Sequence, residues 1–224
     1  SGSAAIEMAL GMAGLDYRVV RASTWEPDSA LDELAAANPL RQIPTLQLPD
    51  GSVLSESAAI LIHLGLTQPG SGLLPADPVA RAQTIRGLVY IAANCYAAIG
   101  VCDHPERWCA DIDRSARGRI LRGARAQLHR SWEVFADQFP ARPWLGGAQL
   151  GALDLLAAVV SSWSGARAHL TEARPEFLAT LRRIEAHAAV APVCALAVLA
   201  DVASCVSPPL VLWPECTKAR CAIA

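Results

Sequence analysis

Charge, aromatic rings and closely paired cysteines are all scarce in this chain. Charged residues make up 18% of its 224 positions, and 19 Lys+Arg against 21 Asp+Glu leave a formal net charge of -2. No global attraction to nucleic acid follows from that balance. The basic run Arg114, Arg117, Arg119, Arg122 and Arg125 is offset by Asp103, Glu106, Asp111 and Asp113, which predicts a solvated or subunit-facing helix. None of the seven cysteines falls in a CxxC pair. Cys95, Cys102 and Cys109 are seven apart, but Asp103-His104-Pro105 interrupts a shared helical face. Structural zinc uses closer ligand pairs, so no metal is expected and the thiols read as buried groups in a reducing cytosol.

Uninterrupted apolar stretches are also missing. The longest, Val190 to Val206, contains Pro192 and Asp201 and falls short of the roughly 20 residues a bilayer span needs. The first residues lack a basic segment followed by an apolar core, the mark of a secretory signal. A cytoplasmic protein without a membrane contact is the expectation. With 53% hydrophobic residues, the chain has ample material for a packed core, and general disorder is excluded.

What is present falls into two patterns. Ala4, Ala5, Met8, Ala9, Leu10, Met12 and Ala13 recur at helical spacing after Ser3, a possible cap, and Gly14 ends the run. Tyr17 to Arg21 reads as a strand. Pro27 to Ala37 reads as a helix closed by Asn38-Pro39. Thr45 to Leu48, Pro49-Asp50-Gly51 and Ser52 to Leu54 form a hairpin signature, and Ala58 to Leu66 a third helix. This order predicts a small α/β layer over residues 1–67. After Gln68-Pro-Gly-Ser-Gly72, Pro75 and Pro78, the pattern becomes helical. Helices are expected over 80–98, 115–139, 153–163, 175–187 and 193–203, an all-α bundle spanning 78–204. The remainder, 205–224, shows neither helical nor strand period. It reads either as an extension covering a pocket or as sequence foreign to the fold.

The sharpest chemical signal is Asn38-Pro-Leu-Arg-Gln-Ile-Pro-Thr-Leu46, followed by Glu56-Ser57 at the head of a helix. A proline after an apolar residue and before a strand is a candidate for a cis bond, which would turn the preceding N–H and C=O outward toward an extended peptide. Ser57 at a helix N-terminus offers a hydroxyl and unpaired N–H groups to a carboxylate, and Glu56 can take an ammonium. Together they suit the α-amino acid end of a ligand. Taken singly, an ordinary turn proline and a plain N-cap are the better readings of these residues.

The combination resembles the glutathione S-transferase family. Asn38-Pro39, Gln42-Ile-Pro-Thr-Leu46 and Leu54-Ser-Glu-Ser-Ala-Ala-Ile60 carry the likeness, with Trp144-Leu-Gly-Gly147, Leu150 to Asp154 and Pro105-Glu-Arg-Trp108 in support. The resemblance, over about residues 1 to 204, implies an α/β thioredoxin-like N-terminal domain followed by an all-α helical bundle domain. It implies glutathione as co-substrate. Ile43 would pair its backbone with the cysteinyl part beside a cis Pro44, Gln42 would lie near the glycyl or cysteinyl backbone, and Glu56 and Ser57 would hold the γ-glutamyl end. The family's catalytic Tyr, Ser or Cys lies at the start of the first helix. Here only Ser3 and Ser1 can serve, by donating to the glutathione sulfur and favouring thiolate; the less favoured alternative is that both are mere caps. The electrophile site would lie between Ser3 and the first bundle helix, with Tyr90, Asn94 and Tyr96 as candidate lining residues, or else those three simply pack.

Departures from the family pattern are visible. The family's first strand should precede the helix after Ser3, so the chain is expected to lack its natural N-terminus. Arg41 replaces a frequent glycine, and Gly151 replaces the Ser or Thr of a capping box that keeps Asp154. The resulting expectation is a serine-type glutathione transferase, a homodimer by family habit, acting on a small electrophile. The alternatives are a non-catalytic scaffold or binding module and a glutathione-dependent isomerase. The absence of a thiol near Gly2 argues against disulfide exchange.

Overall fold

The computed structural model describes residues 2–22, 29–195 and 221–223. They fall into two compact units, one of Ser1–Leu73 with Glu185–Ala224 and the other of Leu74–Ile184.

In the first unit, α1 (Ser3–Met12) buries Ala5, Ile6, Met8, Ala9 and Leu10. Its N-cap is Gly2 rather than Ser3, which lies inside the first turn. Gly14, at φ +65, ends it in the left-handed conformation, with Leu15 N–H reaching back to Leu10 O at 3.0 Å. The chain then runs through β1 (Tyr17–Val19), α2 (Leu31–Ala37), β2 (Thr45–Gln47), β3 (Val53–Ser55) and α3 (Ser57–Thr67). The expected beginning of the second helix, 27–28, lies outside the described residues. The β2–β3 hairpin pairs Thr45 with Ser55, Leu46 with Leu54 and Gln47 with Val53. Its turn is held by Asp50 Oδ1, which accepts from Ser52 N–H at 2.9 Å and Ser52 Oγ at 2.6 Å, while Gly51 supplies φ +86. α1 packs on α3, joining Ile6 and Leu10 to a core shared by Leu34, Leu46, Ile60, Leu61 and Leu64.

The sheet has four strands in the order β1-β4-β2-β3. The fourth, β4, is Cys221–Ile223, three residues of the stretch in which no period is visible. It runs parallel to β1 (Tyr17↔Cys221, Arg18↔Ala222, Val19↔Ile223) and antiparallel to β2 (Leu46↔Ile223, Gln47↔Ala222). The other residues of 205–224 lie outside the described chain.

The second unit is helical. α4 (Pro78–Tyr90) begins at Asp77, whose carboxylate accepts from Ala80 N–H at 2.7 Å. It continues through a π-helical segment, Ile91–Tyr96, into α5 (Ala97–Asp103). This Pro78–Asp103 run is long and apolar enough to cross a membrane by length and composition; here it packs within the bundle, α4 against α7 and α5 against α6. α6 (Arg114–Gln138), α7 (Ala152–Val160), α8 (Ala166–Ala173) and α9 (Pro175–Glu185) follow. Helix α8 is absent from the sequence reading because it carries only two buried anchors, Ala166 and Leu170. The helix expected over 193–203 lies mostly outside the described residues.

The core of this unit combines an aromatic cluster with the aliphatic side chains of α7. Phe135 stacks on Phe139 at 4.7 Å and meets Trp132 edge-on at 5.4 Å. Eight of the nine residues of α7 are buried, among them Asp154. Its Oδ1 accepts from Leu145 N–H at 2.8 Å and its Oδ2 from Gly151 N–H at 3.0 Å. Gly151 has no side chain to return the bond, so one carboxylate ties the Trp144–Gly147 turn to the head of α7. Burial pushes the Asp154 carboxyl up to about 6 against those hydrogen bonds. Burial likewise pushes the Cys95 thiol up to about 12, which makes it an inert core group.

Candidate active site

The loop from Asn38 to Thr45 is built around a buried amide. Asn38 Nδ2 donates to Gln42 O and to Thr45 Oγ1, both at 3.1 Å, and its Oδ1 accepts from Leu40 N–H at 3.1 Å. Thr45 Oγ1 in turn donates to Gln42 O at 2.8 Å. Arg41 sits at φ +51, the region where glycine carries no steric cost; this explains the family's habit at that position. The Ile43-Pro44 bond is cis and Pro44 is buried, while Gln42 is exposed. Among the described residues, neither the N–H nor the C=O of Ile43 has a hydrogen-bond partner. A backbone donor and acceptor are therefore left without partners among the described residues on a braced loop, which is what recognition of an extended peptide needs.

The hairpin register brings the second half of the site to this loop. Thr45 opposes Ser55, so the next position outward on each strand sets Pro44 across from Glu56. Glu56 is exposed and stands at φ +69, ψ 113, capping α3 through its backbone. Its C=O accepts from Ile60 N–H at 3.0 Å, which leaves the N–H groups of Ser57, Ala58 and Ala59 without intrahelical acceptors. Ser57 itself is buried to 6% exposure. A non-glycine residue in that backbone region persists only where its surroundings dictate it, and such residues cluster at binding sites. The helix N-terminus favours an anion, and the exposed Glu56 carboxylate beside it favours a cation.

Ser3 opens α1 in the same unit; Ser1 lies outside the described residues. Tyr90, Asn94 and Tyr96 flank and occupy the π-helical segment of the other unit. Tyr90 is committed to packing: its O–H donates to Ser131 O at 3.0 Å and its ring meets Phe135 and Phe139 at 5.8 and 6.1 Å. Asn94 is exposed and donates to Tyr90 O at 3.0 Å. Tyr96 packs edge-on against Trp163 and lines a hollow of about 310 Å³ with Ala97, Gly100, Arg107 and Trp108. Another hollow, of about 300 Å³, lies at the turn end of the hairpin beside Leu48, Asp50 and His63, opposite the open end that carries Pro44 and Glu56. Among the described residues, no cluster of three His, Cys, Asp or Glu side chains could hold a metal ion.

Sequence reasoning passed over the brace of this site. Asn38 was legible as part of a motif and Thr45 as the start of a strand, but their mutual hydrogen bond depends on a loop geometry that neither residue type announces.

Comparison with known proteins bears on the family and the fold. Residues 3–66 match the family described as glutathione S-transferase, N-terminal domain. An uncharacterized GST-like protein of Escherichia coli, YncG, is 30% identical over 167 residues, covering 72% of this chain and 77% of that protein. A maleylacetoacetate isomerase of Rhizobium meliloti is 38% identical over 93 residues, covering 42% of this chain and 43% of that protein. Among solved structures, a glutathione transferase homologue from Sulfitobacter with bound glutathione superposes with a TM-score of 0.75 at 23% identity, over 88% of this chain and 94% of that one.

Proposed function

The chain belongs to the glutathione S-transferase family, and from that premise we propose that it binds glutathione and activates its thiol for attack on a small electrophile. The observation that carries this reading is the register-matched pair at the open end of the hairpin. The unpartnered Ile43 backbone beside cis Pro44 faces the Glu56-Ser57 head of α3. In this reading Ile43 pairs with the cysteinyl backbone of glutathione, and Gln42 lies near its glycyl or cysteinyl part. The Ser57 hydroxyl and the first N–H groups of α3 hold the γ-glutamyl carboxylate, and Glu56 holds its ammonium. Ser3, or else Ser1, donates to the sulfur. A donor at a helix N-terminus stabilises thiolate over thiol and so raises the nucleophile's population at neutral pH. Tyr90, Asn94 and Tyr96 are the candidates for contact with the electrophile, and Tyr96 lines an open hollow. The protein acts in the cytoplasm as a homodimer.

Calorimetric titration with glutathione, followed by conjugation of a generic aryl halide, tests the proposal. Binding in the micromolar to millimolar range with thiol consumption supports it; a folded protein that shows no heat of binding sinks it. A second reading rests on the likeness over 93 residues to the maleylacetoacetate isomerase: the same thiolate would add to a cis-alkene diacid and leave again, returning the trans isomer with no net consumption of glutathione. Glutathione-dependent isomerisation of maleylacetoacetate without loss of thiol would favour it over conjugation.

A further inference from the structure

We propose that the hollow beside Tyr96 binds a small organic acid built on a flat, conjugated frame, and that Arg107 selects its carboxylate. The substrate would then be a carboxylated electrophile; this last step alone rests on the proposed function. The hollow, about 310 Å³, lies within the helical unit and is lined by Tyr96, Ala97, Gly100, Arg107 and Trp108. That volume is at the small end of the range for ligand pockets. One wall is α5, where Ala97 and Gly100 share a helix face. Both are exposed, and a Cβ on Gly100 would meet no atom within 4 Å, so the helix surface there is low and uncrowded. The other wall is the 3₁₀ turn Pro105–Trp108. Buried Pro105 anchors it, and Arg107 N–H donates to His104 O at 3.1 Å. Trp108 is 66% exposed, although tryptophan is highly buried on average. A large ring held in solvent beside a hollow offers a stacking face to a flat ligand.

The same turn presents a cation that its neighbours do not neutralise. Among the described residues, no hydrogen bond or ion pair engages the Arg107 guanidinium. The adjacent Glu106 carboxylate already faces His104 Nδ1 at 3.1 Å and Arg117 Nη1 at 3.5 Å. Asp113 caps α6, accepting from Ala116 N–H at 2.6 Å. No acid lines the hollow. A guanidinium meets a carboxylate through two parallel N–H groups and also lies flat on aromatic surfaces. A carboxylate carried on a conjugated frame engages both parts of this site, the charge at Arg107 and the ring of Trp108.

Titration of the full chain with cinnamate and with its neutral counterpart cinnamamide, read by ligand-detected NMR without glutathione, tests the proposal. Wild type should hold cinnamate about 5- to 10-fold more tightly than the amide. The chain's net charge of -2 gives no general preference for an acid. Arg107→Gln should remove the difference by weakening cinnamate alone, and Arg107→Lys should retain part of it. Gly100→Leu, which extends a side chain into the hollow, should weaken both probes. Equal affinity for the two probes in wild type overturns the proposal, and so does the absence of binding. It is also overturned if the preference survives Arg107→Gln, or if Gly100→Leu leaves both affinities unchanged, since the probes would then lie elsewhere. Both substituted positions are exposed, and the wild-type comparison needs no variant. Cinnamate held through Arg107 in a protein that binds no glutathione would count against the proposed function alone. Glutathione binding with no preference for the acid would count against this inference alone.

Discussion

The heads of α3 and α7 solve the same problem in opposite ways. At α7 the polar groups turn inward and are paired: Asp154, at 0% exposure, takes the N–H groups of Leu145 and Gly151. At α3 they turn outward and wait. Glu56 stands exposed at φ +69, and among the described residues the first N–H groups of the helix lack acceptors and Ile43 across the hairpin leaves both backbone groups unpaired. A paired, buried helix head is how a fold secures a junction. An unpaired one, on a backbone held in a rare conformation, is how a surface keeps hydrogen bonds for a ligand. The contrast separates stability from binding, and substitutions at the two heads should separate them too.

The largest effect is expected at Asp154. Asp154→Ala would strand two buried N–H groups and should cost about 3–5 kcal/mol in chemical denaturation, with glutathione affinity near native while the protein stays folded. A loss of affinity without loss of stability would break the comparison. The same carboxyl predicts a pH signature. Its folded value of about 6 lies above the ordinary 3.8, so the folded state holds this proton more tightly. Its contribution to stability is therefore full below about pH 4 and declines as pH rises to about 6, by roughly 3 kcal/mol in all. The difference in stability between wild type and Asp154→Asn, followed across that window, should show this slope.

Next come the residues of the open head. Glu56→Gln and Ser57→Ala each remove a contact to a charged group of the proposed ligand and should weaken glutathione binding about 10- to 100-fold by titration. Unfolding free energies should stay within about 0.5 kcal/mol of wild type for Glu56→Gln. A stability loss with unchanged affinity at either position would mean that α3 is capped as α7 is. Behind the inward head, a Cβ on Gly87 would meet both Leu153 methyls at 2.7 and 2.8 Å and the Phe139 ring at 3.1 Å. Because Leu153 is fully buried, Gly87→Ala should destabilise by about 1–3 kcal/mol. The smallest effect is expected at Arg41: Arg41→Gly relieves a left-handed backbone and should stabilise by about 0.5 kcal/mol, part of the relief being offset by a freer unfolded chain. A melting curve resolves that sign.

Much of the fold was legible because its signals are local. Pro49-Asp50-Gly51 announced the hairpin turn, Gly14 the end of α1, and the apolar spacing of Leu153 to Val160 the central helix; each acts through residues within a turn or two. The family, the α/β layer followed by a helical bundle, and the Asn38–Leu46 and Leu54–Ile60 motifs came from the same short-range information. The π-helical segment at Ile91–Tyr96 did not, since its residues read as ordinary helix and the extra residue per turn is imposed by packing. Nor did α8, whose two anchors are too few to make a period.

By itself, then, the order of residues determined most of the elements, the hairpin turn and the end of α1, and the chemistry offered at the Ile43-Pro44 loop and the Glu56-Ser57 head. Tertiary structure alone decided that Pro44 comes to lie across from Glu56, that Asn38 braces the loop through Thr45, and that Cys221–Ile223 sits at the centre of the sheet. The reason is that strand pairing satisfies backbone groups, which every residue carries alike. Three residues such as Cys-Ala-Ile bear no mark of their partners, and their pairing with β1 and β2 is visible only in the tertiary structure.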